Sequence, residues 1–424
     1  MQPSPRITLR TIMSPTLLLV ALAACSGGGT STVLAPNGDA QASQSAPPAP
    51  TGSPVATRGP ATVPTAVPTS VPTPVPTPTP PLPTPVPTPK PTATPTPGPP
   101  LYDPSADSFP NFRSSEFFQR LPTNPTVNVK TSTWLSSLGT ISLGQLQFAA
   151  NPSGVARDFG TPVYETAVGP RAMAVKVHCT EPWGTCAVEG KTVYVESSEQ
   201  PEDGGTNGED SHFAIVDNTT GDEYDFWGTR WPPSNGVLTI EWGGSCKLSG
   251  PGYGGCGGSA SGTALSLGII RAKDLVAAVQ SGGTLPYALS TGVKCADGYV
   301  APMTSSDEYT PGCPPEGARA YLALHDSDVN ASGASDIVKA ILRTIDEDHY
   351  GMFITDSGSG DGFSFITESD VTYTAFGLPG PLVNTLVPLA QSEGIPGSSA
   401  AYEAVWYLHL PATGINLSSE IRFL

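Results

Sequence analysis

Positive charge is scarce in this chain of 424 residues: Lys and Arg number 20 against 37 Asp and Glu, a formal net charge of −17. Beyond residue 100 the imbalance deepens to 16 basic against 36 acidic residues. A field of that sign repels phosphate backbones and anionic headgroups, so nucleic acid is excluded as a partner, and so is membrane binding through a basic patch. Histidine is also rare, with five (178, 212, 325, 349 and 409) and no His-Glu-x-x-His, so zinc-hydrolase chemistry of that kind has no support. No strict Gly-x-Ser-x-Gly elbow occurs, and Ser259 and Ser261 sit in a run that reads as a turn. Long apolar runs are missing too. The apolar core from Leu17 to Leu22 is far short of the roughly 20 residues that cross a bilayer.

What is there begins with an address. Arg6 and Arg10 precede that apolar core, and small residues follow it, the three-part layout of an export signal. Its end, Leu22-Ala23-Ala24-Cys25 followed by Ser26-Gly27-Gly28-Gly29, resembles the lipobox of bacterial lipoproteins. That resemblance implies cleavage before Cys25, a lipid on its sulfur, and an extracytoplasmic protein held to the bacterial envelope by acyl chains alone. The expected organisation is a signal peptide over 1–24, a flexible tether over 25–45, a spacer over 46–100 and one folded domain over 101–424. Of the 48 prolines, 22 lie between residues 46 and 100, with Val-Pro-Thr recurring at Val63, Val67, Val71, Val75 and Val86. Such a segment buries no core and runs as polyproline II; at about 3.1 Å per residue it reaches on the order of 150 Å.

Seven cysteines are present, and assigning Cys25 to lipid leaves six. They fall in close pairs, Cys179 with Cys186, Cys246 with Cys256, and Cys295 with Cys313. Six cysteines allow 15 connectivities; local sequential bridges are favoured because each pair is close and flanked by Gly or Pro. The rival zinc site lacks paired CxxC spacing, and bridging implies an oxidising compartment.

From Leu101 onward the dominant period is two. Runs at 126–130, 145–149, 172–178, 192–196, 212–217, 237–242, 319–324, 351–355 and 363–367 predict strands, separated by Gly, Pro, Asn and Asp. Helical stripes are few: 335–349, where Ile337, Val338, Ile341, Leu342 and Ile345 share a face, then 271–280, and a weaker one over 381–392. The expected class is mainly β, an antiparallel β-sandwich or jelly roll with two or three peripheral helices.

Residues 205–360 also resemble a set of uncharacterised secreted bacterial proteins of β-rich type. The matching elements are Asp210-Ser211-His212, Ser259-Ala260-Ser261-Gly262, Ile270-Arg271-Ala272-Lys273-Asp274, Tyr287-Ala288-Leu289, Pro315-Glu316-Gly317-Ala318-Arg319, and Tyr350-Gly351 with Asp356-Ser357-Gly358-Ser359. The pattern has His where this chain has Tyr287, and no activity comes with it.

Chemistry is densest from Asp210 to Trp242. Asp210, His212, Glu223, Asp225 and Tyr287 are the candidate catalytic residues, and Trp227, Trp231, Trp242, Arg271 and Arg319 the candidate ligand-binding ones. Glu223 and Asp225, two apart, share one face of a strand. One acid and one carboxylate beside aromatic platforms is what glycosidic cleavage needs. A second arrangement pairs His212 with Tyr287 and uses Arg271 or Arg319 on a uronate, as polysaccharide lyases do, although polyanions fit an acidic domain poorly. Trp134, Trp183 and Trp406 read as packing residues. The acidic loops 203–210 and 356–361 lack the regular ligand spacing of Ca2+ sites and read first as solvated turns, so no cofactor is expected, with Ca2+ binding there as the alternative. The functional expectation is a cell-surface lipoprotein whose β-rich domain binds extracellular polysaccharide or an envelope component. If it is an enzyme, glycoside hydrolysis or polysaccharide lysis is favoured. The alternatives are a non-catalytic envelope or adhesion protein, and a glutamic-type peptidase on a β-sandwich.

Overall fold

The computed structural model describes residues 111–143, 145–149, 160–165, 172–205, 210–395, 397–400 and 405–424, all within one compact unit. The expected signal, tether, spacer and lipidated Cys25 lie outside the described residues. Among the described residues the chain is mainly β with some helices, and the strands form four sheets.

One sheet has the order β1 (Gln145–Ala149), β15 (Val405–His409), β14 (Gly397–Ala400) and is antiparallel. A second has the order β2 (Val163–Glu165), β5 (Phe213–Asp217), β6 (Asp222–Trp227), β9 (Trp242–Lys247). A third runs β4 (Thr192–Glu196), β3 (Ala172–Cys179), β8 (Val237–Ile240), β7 (Arg230–Ser234). The largest runs β13 (Phe363–Phe365), β10 (Leu289–Val293), β12 (Met352–Asp356), β11 (Arg319–Leu322), β16 (Ile421–Phe423). The wholly antiparallel expectation is corrected here, because β2 with β5, β3 with β8, and β10 with β12 pair in parallel. Each of those pairs is joined by a long connection that carries other elements, which is what parallel pairing requires.

Alternation decides which side chains meet. Phe213 and Ile215 of β5 and Tyr224 and Phe226 of β6 point one way, into a core shared with Val175, Val177, Val193, Val195, Leu238 and Ile240 of the β3 sheet. Ala214 and Val216 point the other way, against Ile269. Pro232 and Pro233 lie on β7, an edge strand with alternating exposure, where missing N–H groups cost no ladder bond.

The five-stranded sheet is covered on one face by α2 (Ala272–Ser281) and α4 (Asp336–Ile345). Between them in sequence lies the short α3 (Asp326–Ala331), and the seven-residue α1 (Thr131–Ser137) precedes all three. The predicted stripe of α4 is buried, and the Ser335 hydroxyl caps it by accepting from the Val338 N–H at 3.3 Å. This helix stops four residues short of the expected end, since Asp346 leaves it to bridge Leu322. Helix α2 stops at Gly282, whose φ of +62° is the left-handed conformation glycine tolerates. On the sheet's other face Phe117 stacks on Phe353 at 4.5 Å. The expected strand at 126–130 is absent: only the Asn128 N–H reaches a strand end, at Phe423, and Val129 is 96% exposed. The three local disulfides form as paired in the sequence, Cys179–Cys186, Cys246–Cys256 and Cys295–Cys313. They fit an oxidising, extracytoplasmic compartment. Among the described residues no helix is long and apolar enough to cross a membrane.

Candidate functional site

Strand β6 organises the region. Glu223, Asp225 and Trp227 alternate on the face opposite Tyr224 and Phe226, and across β9 they meet Cys246, Gly244 and Trp242. Over them runs segment 257–266, which follows the Cys246–Cys256 bridge. Its backbone is pinned to the carboxylates. The Ser266 N–H donates to Glu223 Oε1 at 3.0 Å and its hydroxyl to Oε2 at 2.5 Å. Gly258 and Leu265 N–H groups donate to Asp225 Oδ2 at 2.8 and 3.1 Å. The approach is so close that a Cβ on Gly258 would lie 2.6 Å from the Cβ of Asp225.

Both carboxyls are fully buried. Burial, then the charge of Asp225, holds the Glu223 pKa well above the ordinary carboxylate range. Burial also pushes Asp225 up to about 6, with the hydrogen bond to Glu223 and the two N–H donors pulling it back. Burial thus favours the neutral form more strongly at Glu223 than at Asp225, whose carboxylate the two backbone donors support. The two carboxyls share a strand face, as their spacing predicts, but lie beneath a segment of chain rather than across an open groove.

His212 lies one residue before β5, at the register position facing Trp227. Its Nδ1 is 3.4 Å from Glu202 Oε1 and its Nε2 3.5 Å from Thr161 Oγ1. Burial raises the Glu202 pKa, and the imidazole opposes that rise. His212 is also within electrostatic reach of Asp225 and of Asp356, and Asp210 is within reach of Asp356 and Glu202.

Asp356 ends β12 and pairs with Gly292 of β10. Burial, then the neighbouring Asp307 and Asp210, moves its pKa up to about 7, against the pull of the Ser357 N–H and His212. Asp307 accepts from the Ser357 hydroxyl at 2.8 Å. Glu316 is buried, and burial with the hydrogen bond to Asp307 drives it to about 9. Two sheets thus contribute to one acidic cluster: Asp210, His212 and Asp225 from one, Asp307, Glu316 and Asp356 from the other and its disulfide loop. Sequence reasoning missed Glu202, Asp307, Glu316 and Asp356. Glu316 and Asp356 did stand inside the quoted Pro-x-Gly-x-Arg and Asp-Ser-Gly-Ser motifs, which was the available signal.

The aromatic residues divide. Trp183, expected to pack, is 47% exposed and sits 5.3 Å from the ring of Trp227, with Trp242 across the strand pair. Trp231 packs edge-on against Phe213 and belongs to the core, and Trp134 is buried in α1. The side chain of Trp406 lies outside the described residues.

Tyr287 is held elsewhere. Its hydroxyl donates to Asp274 Oδ2 at 2.9 Å, and burial followed by that carboxylate keeps its pKa well above the phenol range. Arg271 pairs with Glu368 at 3.3 Å, and Tyr373 donates to the same carboxylate at 3.0 Å. Ser266 connects the two regions: it donates to Glu223 and lines a cavity of about 20 Å³ with Arg271 and Tyr287, room for one water. Arg319 donates to the Tyr350 and Gln119 carbonyls at 2.5 Å and lies over the Phe353 ring, so it clamps backbone. No contact joins Tyr287 to His212 among the described residues.

Fold and site define a disulfide-bonded, mainly β protein carrying an acidic, tryptophan-flanked cluster. No family model, no curated protein and no solved structure matches the chain.

Proposed function

We propose that the protein is a surface lipoprotein, anchored through Cys25 and held away from the membrane by its proline-rich spacer, whose head binds and hydrolyses a neutral polysaccharide. The layering of the β5 and β3 sheets on one core is read as a sandwich. The observation that carries the hydrolytic reading is Asp356: a partly buried carboxyl with a pKa of about 7, within electrostatic reach of Asp210, Asp307 and His212. A carboxyl so tuned is protonated in a large fraction of molecules at neutral pH. In this mechanism a sugar residue stacks on the Trp183–Trp227 pair. Asp356 gives its proton to the glycosidic oxygen as the C–O bond breaks, while Asp210 takes a proton from the water whose oxygen bonds to the anomeric carbon. The acidic surround disfavours uronates and sulfated chains.

The full burial of Glu223 and Asp225 favours a second reading, in which the head is a binding or adhesion module and the pair only clamps segment 257–266. A glutamic-type peptidase would need that segment to lift. Incubation of the full chain with a panel of neutral and acidic glycans and with a denatured protein separates the readings. New reducing ends, lost in Asp356→Asn, support hydrolysis; retention on a glycan column without new ends supports binding; new amines support a peptidase.

A further inference from the structure

A separate group of side chains gathers where α3 begins and α4 ends, and none of it belongs to the cluster around Asp356. Asp346 is fully buried. Its Oδ1 accepts from the Asp348 N–H at 3.0 Å and lies 2.8 Å from His349 Nδ1. Its Oδ2 is buried with no hydrogen-bond donor, and so is Oδ1 of Asp326, which stands 3.7 Å from the same His349 nitrogen. One ligand atom from each of Asp326, Asp346 and His349 lies within 4.8 Å of the others.

Two buried carboxylate oxygens without a hydrogen-bond donor, Asp346 Oδ2 and Asp326 Oδ1, beside one imidazole are costly unless something positive sits among them. Within the protein the His349 imidazolium faces Asp346 Oδ1 and Asp326 Oδ1 through Nδ1, and that leaves Asp346 Oδ2 with no partner among the described residues. Glu347 and Asp348 engage His325 at 3.1 and 3.2 Å, and Arg120 is spent on the Asp348 carbonyl and the face of Tyr350. The way in is open, since the Asp326 side chain is 46% exposed while His349 is 11% exposed.

We propose that Asp326, Asp346 and His349 bind a divalent cation of the Zn2+ class. One imidazole nitrogen and two carboxylates are a donor set for Zn2+, with water completing four positions on the solvent side. Nitrogen and oxygen ligands lie about 2.0–2.2 Å from such an ion, so His349 Nδ1 and the Asp346 oxygen 2.8 Å from it must part slightly to admit one. Ca2+ and Mg2+ take oxygen ligands, in greater number, and the imidazole selects against both. Ligation makes His349 Nδ1 release its hydrogen, so uptake is accompanied by proton release. The ion would tie the start of α3 to the chain leaving α4.

The test uses the full chain, made under oxidising conditions without a histidine tag, carrying Cys25→Ala so that no free thiol competes. After dialysis against chelator, the protein is titrated calorimetrically with Zn2+, and separately with Ca2+ and Mg2+. Expected is one equivalent of Zn2+ per chain, with Tm rising on the order of 5 °C at a hundredfold excess over Kd. Asp326→Asn and His349→Gln should each weaken Zn2+ at least about tenfold. Asp326 is exposed enough for its variant to fold, which far-UV circular dichroism checks. No uptake by the parent chain overturns the proposal, the buried oxygens then sharing a proton instead. Unchanged affinity in both variants overturns it as well, and Ca2+ binding as tight as Zn2+ overturns the donor-set argument.

Discussion

Glu223 and Asp225 stand two residues apart on one strand face, fully buried beneath segment 257–266, and burial raises the pKa of both. Ser266 tightens that arrangement with a backbone and a hydroxyl donor to Glu223. Removing the hydroxyl leaves a buried acceptor short of its partner, so Ser266→Ala should cost about 1–3 kcal/mol in chemical denaturation. Glu223→Gln keeps a neutral group that donates toward Asp225 and should stay within about 1.5 kcal/mol of the parent. A larger loss for Gln than for the Ser266 variant would contradict a proton resident on Glu223.

The same segment approaches β6 too closely for a side chain at Gly258. Gly258→Ala would drive its methyl against Asp225, and overpacking of this kind costs typically about 1–3 kcal/mol. Thermal melting measures it. A neutral result would mean the segment sits further from the strand.

Stability should fall as pH rises from about 5 to 9, the reverse of ordinary acid lability. Asp225 titrates at about 6 in the folded chain, Asp356 and Asp370 at about 7, and Glu316 at about 9, each raised first of all by burial. Their unfolded values lie near 4. Over that window the folded state holds more protons than the unfolded one, so these groups stabilise below the unfolded pKa and lose that contribution as pH passes the folded values. Tm recorded across the range checks the slope, and Glu316→Gln should flatten its upper part, between about pH 7 and 9.

Trp183 offers a clean separation of binding from folding. Being 47% exposed, it should be replaceable by Ala within about 0.5 kcal/mol of stability, while affinity for a bound glycan drops about tenfold. Equal losses in both would return Trp183 to a packing role.

Hydrolysis, where it is detected, should decline above about pH 7 as Asp356 loses its proton, and Asp356→Asn should lower kcat by roughly 10²–10⁴. A rate that keeps rising to pH 9 would assign the acid to another group, with Glu316 next in line.

Local signals in the chain read through well. The disulfide partners lie within 7 to 18 residues of each other, and proximity was enough to pair them. The stripe of Ile337, Val338, Ile341 and Ile345 located α4, and Ser281-Gly282-Gly283 marked the end of α2. Strand β4 was legible to the residue, because Val193 and Val195 alternate with half-exposed neighbours. Strand β6 was legible only through the spacing of Glu223 and Asp225, and β9 escaped notice, being rich in Gly, a composition that ordinarily argues for turns. Trp183 was misread for a related reason: a lone tryptophan carries no local mark of which side of the surface it occupies.

By itself the sequence determined which segments pair with near neighbours, how acidic the body is, and which residues share a strand face, since all three follow from spacing and composition. Only the tertiary structure decided that β10 lies parallel to β12, that Asp356 comes within electrostatic reach of His212, and that Asp326 gathers with Asp346. Those meetings join residues tens to more than a hundred positions apart. They are set by how buried faces stack, a property of the whole chain that no local window carries.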